Sequence, residues 1–148
     1  MKSGTEPKDG NRPVYTLGIA AELAEIPTHS IRQYIDRGLL IPYKLESRRH
    51  LFSRNDIHRL KNIHALIRDY GLNFAGIRVL MAHIPCWAMR GCSREDRERC
   101  NAYSDLSQPC WEASEKGTMC KNVDCKTCEA YHILTDSLGL KHFLQEML

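Results

Sequence analysis

Apolar residues recur at helical spacing through the first half of the chain. Thr16 is followed by Leu17, Ala20, Leu23 and Ala24, the stripe of an amphipathic helix opened by a threonine cap. Ile26-Pro27 closes that helix, because proline brings no amide to the ladder. Thr28 caps a second helix with Ile31 and Ile35 on its buried side, and Gly38 stops it as a left-handed cap residue. Two short helices across a tight turn make a helix-turn-helix. Tyr43-Lys44-Leu45 and His50-Leu51-Phe52 flank the polar centre Glu46-Ser47-Arg48-Arg49 and read as a hairpin wing. With no Gly or Asn in it, the turn is expected to be longer than two residues. Ser53 and Asp56 form a capping box for a third helix through Ile57, Leu60, Ile63, Leu66 and Ile67, ending near Tyr70-Gly71. Asn73 caps a fourth helix through Ile77, Leu80 and Met81, and Pro85 marks its end.

Beyond Ile84-Pro85 the pattern changes to an internal repeat. Pro85-Cys86-Trp87 returns as Pro109-Cys110-Trp111, and Cys100-Asn101-Ala102-Tyr103 returns as Cys128-Glu129-Ala130-Tyr131. Each unit holds one cysteine between those ends, Cys92 or Cys120, and Cys125 is an extra. A repeat unit this short rarely buries a core alone, so the two are expected to pack together around a shared site. The expected fold is therefore mainly α. Residues 1–12 form a disordered tail and residues 13–84 a winged helix-turn-helix domain. Residues 85–131 make a small cysteine-rich metal-binding lobe. Residues 132–148 form a short C-terminal helix with Leu140, Phe143, Leu144 and Met147 on one face.

Composition narrows the function. No apolar run approaches the roughly 20 residues that span a bilayer, and residues 1–12 lack an apolar signal core, so a cytoplasmic protein without a membrane partner is expected. The net charge of +3 says little about nucleic acid, but its distribution says more. Arg32, Arg37, Lys44, Arg48, Arg49, Arg54, Arg59 and Lys61 crowd one segment, the footprint of a phosphate-binding surface. The second helix offers Thr28, His29, Ser30, Arg32, Gln33, Tyr34 and Arg37 to DNA, and the wing offers Lys44, Arg48, Arg49 and His50. Arg and Gln are the side chains that pair bidentately with guanine and adenine, while hydroxyl and basic groups fix register on phosphates.

The run Ile31-Arg32-Gln33-Tyr34, then Arg37-Gly38-Leu39-Leu40 with Pro42, then Phe52-Ser53-Arg54-Asn55-Asp56-Ile57 resembles the DNA-binding domain of the MerR family. Gly71-Leu72-Asn73-Phe74-Ala75-Gly76-Ile77 is similar to the heat-shock-repressor branch in particular. The resemblance spans Val14 to Ile84. It implies a regulator that binds double-stranded operator DNA as a homodimer, with Arg32 and Tyr34 on the recognition helix, and it makes RNA polymerase a further candidate partner. His50 stands where the family has a wing arginine, the wing lacks the family's glycines, and Pro85 falls where many members begin a long dimerisation helix.

All seven cysteines lie in the second half: Cys86, Cys92, Cys100, Cys110, Cys120, Cys125 and Cys128. The odd count and the missing export signal favour metal thiolates over disulfides. Only Cys125 and Cys128 form a C-x-x-C knuckle, whereas a zinc ribbon needs two. Iron–sulfur clusters tolerate irregular spacing, so an iron–sulfur cluster, 4Fe-4S in type, is the expected cofactor, with zinc the alternative. Cys110, Cys120, Cys125 and Cys128 make one set of four; Cys86, Cys92 and Cys100 need a histidine, a carboxylate or a shared ligand to complete a second site, so the spacing is compatible with one cluster plus spare thiols or with two centres. The Cys-Trp repeat resembles the two-CW module appended to some bacterial sensory proteins. The expected function is a regulator, not an enzyme, that senses redox state, oxygen, nitric oxide or metal through this centre. A purely structural zinc site is the alternative. A thiol or electron-transfer redox protein is a third reading, disfavoured by the lack of any dinucleotide or phosphate-loop motif.

Overall fold

The computed structural model describes residues 10–135 and 139–147. Residues 1–9 of the expected tail, together with residues 136–138 and 148 of the expected last helix, lie outside the described residues. The chain divides at Tyr70–Gly71 into two compact units, each described by itself. The fourth expected helix packs within the second of these units.

In the first unit, β1 (Tyr15–Thr16) leads into α1 (Leu17–Ala24), whose Ile19 amide bonds the Thr16 side chain. Glu25 then turns left-handed, φ 59°, and stops the helix just before Ile26-Pro27. Ala20 and Ala24 form its buried face while Leu23 is exposed. Next comes α2 (Thr28–Asp36). Its N-cap is Pro27, with extended dihedrals and no side-chain hydrogen bond, so Thr28 is the first helical residue and not the cap. Proline's fixed φ suits that position and it has no amide to satisfy. At the other end Gly38, φ 75°, completes a Schellman motif. Its amide reaches the Ile35 carbonyl at 3.0 Å and the Leu39 amide reaches that of Tyr34 at 2.9 Å.

The wing is β2 (Tyr43–Lys44) and β3 (His50–Phe52), antiparallel, with Tyr43 opposite Leu51 and Lys44 opposite His50. β1 adds a third strand to the other edge of β3, which the sequence pattern did not suggest. The wing turn closes through the Arg48 amide to the Leu45 carbonyl at 2.8 Å and the Leu45 amide to the Arg49 carbonyl at 2.9 Å. This is a three-residue loop whose left-handed position is filled by Arg48, φ 67°, where glycine is usual. Helix α3 (Arg54–Arg68) starts from the expected capping box: Ser53 N donates to Asp56 Oδ2 at 2.9 Å and Asp56 N to Ser53 Oγ at 3.1 Å. Ile31, Tyr34, Leu39, Leu40, Phe52, Leu60 and Ile63 are among the buried residues of this unit. Gly10 is also buried, and Asn55 Nδ2 donates to Asn11 Oδ1 at 2.9 Å, tying residues 10 and 11 to the start of α3.

The second unit opens with α4 (Phe74–Ala82), capped by Asn73. Short helices follow: α5 (Cys86–Arg90), α6 (Arg94–Glu98), α7 (Asn101–Ser104) and α8 (Glu129–His132), with 3-10 turns at Cys110–Glu112 and Cys125–Thr127. The last described element is α9 (Gly139–Met147); His132, expected in that helix, closes α8 instead. The repeats interleave as expected. α5 of the first packs on α8 of the second, and α7 packs on the Cys110–Glu112 turn. Asn101 N bonds the Glu115 carbonyl at 2.8 Å and Thr118 Oγ1 bonds Asp96 Oδ1 at 2.7 Å across the same seam.

Candidate metal centre and nucleic-acid interface

Each repeat builds the same aromatic stack. Trp87 meets Tyr103 edge-on at 5.2 Å, and Arg97 lies 6.0 Å over the Tyr103 ring. Trp111 meets Tyr131 edge-on at 5.0 Å, and Lys126 lies 5.7 Å over the Tyr131 ring. The tryptophan of Pro-Cys-Trp and the tyrosine of Cys-x-Ala-Tyr thus explain why both ends of the unit recur: they hold each other and so fix the cysteines beside them. The cations escaped the sequence reading. Their only signal is a basic residue two or three positions before the second motif. Lys126, 3% exposed, is buried.

The stacks wall two adjacent cavities. One is lined by Cys86, Cys92, Cys100 and Cys120 with Trp87, Tyr103 and Asp96, and is a narrow, partly open space of about 20 Å³. The other is lined by Cys86, Cys110, Cys120, Cys125 and Cys128 with Trp111 and Tyr131, and is likewise about 20 Å³. Cys86, Ala102 and Cys120 line both. All seven expected cysteines therefore gather, around two neighbouring spaces that share Cys86 and Cys120. All seven are free thiols. Among the described residues, no three His, Cys, Asp or Glu side chains converge closely enough to hold a single metal ion. His83 and His132 are engaged elsewhere, donating to the Val79 and Lys126 carbonyls.

The thiols are electrostatically distinct. A hydrogen bond from Cys110 holds the Cys86 thiol down at about 7, against the opposing effect of burial. The same bond, with burial, pushes Cys110 far up. Burial raises Cys92 and Cys120. Lys116 Nζ lies 3.2 Å from Cys125 Sγ. Arg90 lines the second cavity and Arg97 the first, and the Nε atom of each is buried with no hydrogen-bond partner. Buried donors of this kind are rare because an unmet N–H costs about 1–3 kcal/mol.

In the first unit, His29, Arg32, Gln33 and Asp36 form an exposed stripe at i, i+3, i+4 and i+7 on α2, with Arg37 exposed just beyond. Thr28 and Ser30 are half-buried at its start. On the wing Lys44, Arg48 and Arg49 are exposed and His50 is half-buried. Two expectations fail. Tyr34, 3% exposed, is a core residue and not a phosphate contact; with Ile31 it forms the buried side of α2, while Ile35 is half-exposed. Arg59, 1% exposed, leaves the basic surface to donate from Nε to the Leu39 carbonyl at 2.8 Å. It pins the end of the helix-turn-helix to α3.

Residues 15–84 match the family described as MerR HTH family regulatory protein. These residues are similar to the helix-turn-helix domain of that family. The chain is 36% identical over 69 residues to the HTH-type transcriptional regulator GlnR of Bacillus anthracis, covering 47% of this chain and 53% of that protein. It is 36% identical over 66 residues to a putative heat shock protein HspR of Streptomyces coelicolor, covering 45% of this chain and 44% of that protein. The chain spans about half the length of these curated relatives. The match ends at Ile84, so it includes α4 and stops short of every cysteine. Within the second unit, Arg78 of α4, the last helix inside the matched span, pairs with Glu112, two residues after Cys110, at 3.3 Å.

Proposed function

We propose that this protein is a cytoplasmic, DNA-binding transcription regulator whose cysteine lobe holds an iron–sulfur centre that controls operator binding. The reading pairs a MerR-family domain, with its exposed α2 stripe and basic wing, with thiols that line cavities instead of converging on a point. A cluster spreads its ligand sulfurs over several atoms, whereas tetrahedral zinc draws four thiolates in to about 2.3 Å from one ion. The observation that carries it is the pair of buried, unpartnered arginine Nε donors on the cavity walls. A thiolate-ligated cluster is anionic, and N–H donors to its sulfurs stabilise it and tune its potential. The residues therefore fit such a group: cysteines to ligate, Arg90, Arg97 and Lys116 to balance charge, and Trp87 and Trp111 to exclude water.

Bound there, the group would supply sensitivity to oxidants or ligands. The chain's own residues would pass on the consequence. Glu112 follows Cys110 and pairs with Arg78 of α4, a helix that is MerR-family in sequence and part of the cysteine unit in packing. The protein would act on operator DNA as a homodimer, with RNA polymerase a further partner. Half-site spacing is a strict geometric requirement, so a small shift in the lobe can alter affinity. Purification without oxygen, with iron and acid-labile sulfide analysis, tests the centre: iron and sulfide in equal amounts are expected, and colourless protein with stoichiometric zinc contradicts it. The Cys125–Cys128 knuckle, closed by Cys128 N to the Cys125 carbonyl at 3.0 Å, is the one feature favouring structural zinc.

A further inference from the structure

We infer that the lobe carries two separate cysteine-ligated centres, one per cavity, an inference that rests on the iron–sulfur reading above. The repeat is the first ground. Each half supplies its own Pro-Cys-Trp, middle cysteine and Cys-x-Ala-Tyr, and each builds its own Trp–Tyr–cation stack. Each stack walls a different cavity. The unmatched donors are the second ground: one arginine whose Nε is buried without a hydrogen-bond partner lines each cavity, Arg97 the first and Arg90 the second. A single occupant would leave one of these N–H groups unmet.

The thiols divide accordingly. Cys92 and Cys100 line only the first cavity, and Cys110, Cys125 and Cys128 line only the second. Cys86 and Cys120 stand between them. Assigning each to its own repeat gives the second centre four thiolates: Cys110, Cys120, Cys125 and Cys128. The first receives Cys86, Cys92 and Cys100, one short of four. The Asp96 carboxylate lines that cavity, held by Thr118, and completes the set. Ligation needs no oxidant: each thiol releases a proton as it binds iron. The first centre, with an oxygen donor in place of a thiolate, is the more labile of the two.

The test is anaerobic reconstitution of the full chain with equal amounts of ferrous and ferric iron and with sulfide, a mixture that already carries the electron count of the oxidised cluster core, followed by iron and sulfide analysis per chain. The Cys92→Ser/Cys100→Ser variant is expected to keep about half the wild-type iron, and so is the Cys125→Ser/Cys128→Ser variant. Their visible spectra should sum to that of the wild type. Asp96→Ala should lower iron only in chains whose first cavity is intact. If either double variant is checked by circular dichroism and found unfolded, Cys92→Ser and Cys125→Ser alone carry the same comparison. Loss of all iron from one pair, with none lost from the other, means a single centre and overturns this inference while leaving the function above intact. Wild-type chain that takes up no iron overturns both.

Discussion

Tyr34 Oη lies 3.1 Å from His64 Nδ1, joining the second helix of the helix-turn-helix to the long helix α3. The phenol sits inside the domain, where burial raises its pKa, and not on the DNA-facing side. Tyr34→Phe should therefore cost about 1 kcal/mol of stability, the value of one hydrogen bond plus an unmet ring nitrogen. DNA affinity measured on the folded variant should not change. A denaturant melt beside a binding titration separates the two effects.

Arg48 occupies the left-handed corner of the wing turn at φ 67°. A side chain there costs about 1–2 kcal/mol, part of which glycine returns as unfolded-state entropy. Arg48→Gly should raise stability by about 0.5–1 kcal/mol in a denaturant melt. It also removes an exposed charge, so any loss of DNA affinity should come with a gain in stability.

Arg49 is exposed beside that turn, whereas Arg59 is buried against the Leu39 carbonyl. Arg49→Ala should weaken binding to all duplexes alike and reduce the slope of log K against log salt by about 1. Arg59→Ala should instead destabilise the domain, since it strips a buried carbonyl of its donor. Salt-dependent titration of Arg49→Ala and thermal melting of Arg59→Ala report these separately.

In metal-free protein, Cys86 titrates near 7 because Cys110 donates to it, while Cys92, Cys110 and Cys120 stay protonated above the ordinary thiol range. A thiol depressed in the fold stabilises above its unfolded pKa, and that contribution is lost as pH falls through about 7. The raised thiols act oppositely: the unfolded chain releases their protons first, so stability declines as pH climbs past the unfolded thiol range. Ultraviolet thiolate absorbance should show one group ionising near neutrality, and Cys110→Ala should move it upward.

Much of the first unit was legible because its signals are local. The Thr16 cap, the Ser53–Asp56 box and the Gly38 stop each involve residues within a few positions of one another, as does the Asn73 cap that opens the second unit. What was missed depends on distant partners. β1 exists because Tyr15 and Thr16 pair with Phe52 and Leu51, and Arg59 is buried because a carbonyl 20 residues away needs a donor. Residue type marked Arg59 as surface charge and Tyr34 as a phosphate contact; only packing shows otherwise. In the lobe, the repeat identified the cysteines as a group. Their division between two cavities follows from the interleaving of the repeats, which spacing alone does not encode.

The central claim joins the cysteine centre to the DNA-reading domain, and one titration tests it most directly. The iron-loaded form and the same protein stripped of iron are titrated, at one salt concentration, against a duplex selected from random sequence by the loaded form. The account predicts affinities that differ by at least about 5-fold, the lower end of typical coupling between sites. Equal affinities, with both forms folded, would contradict it.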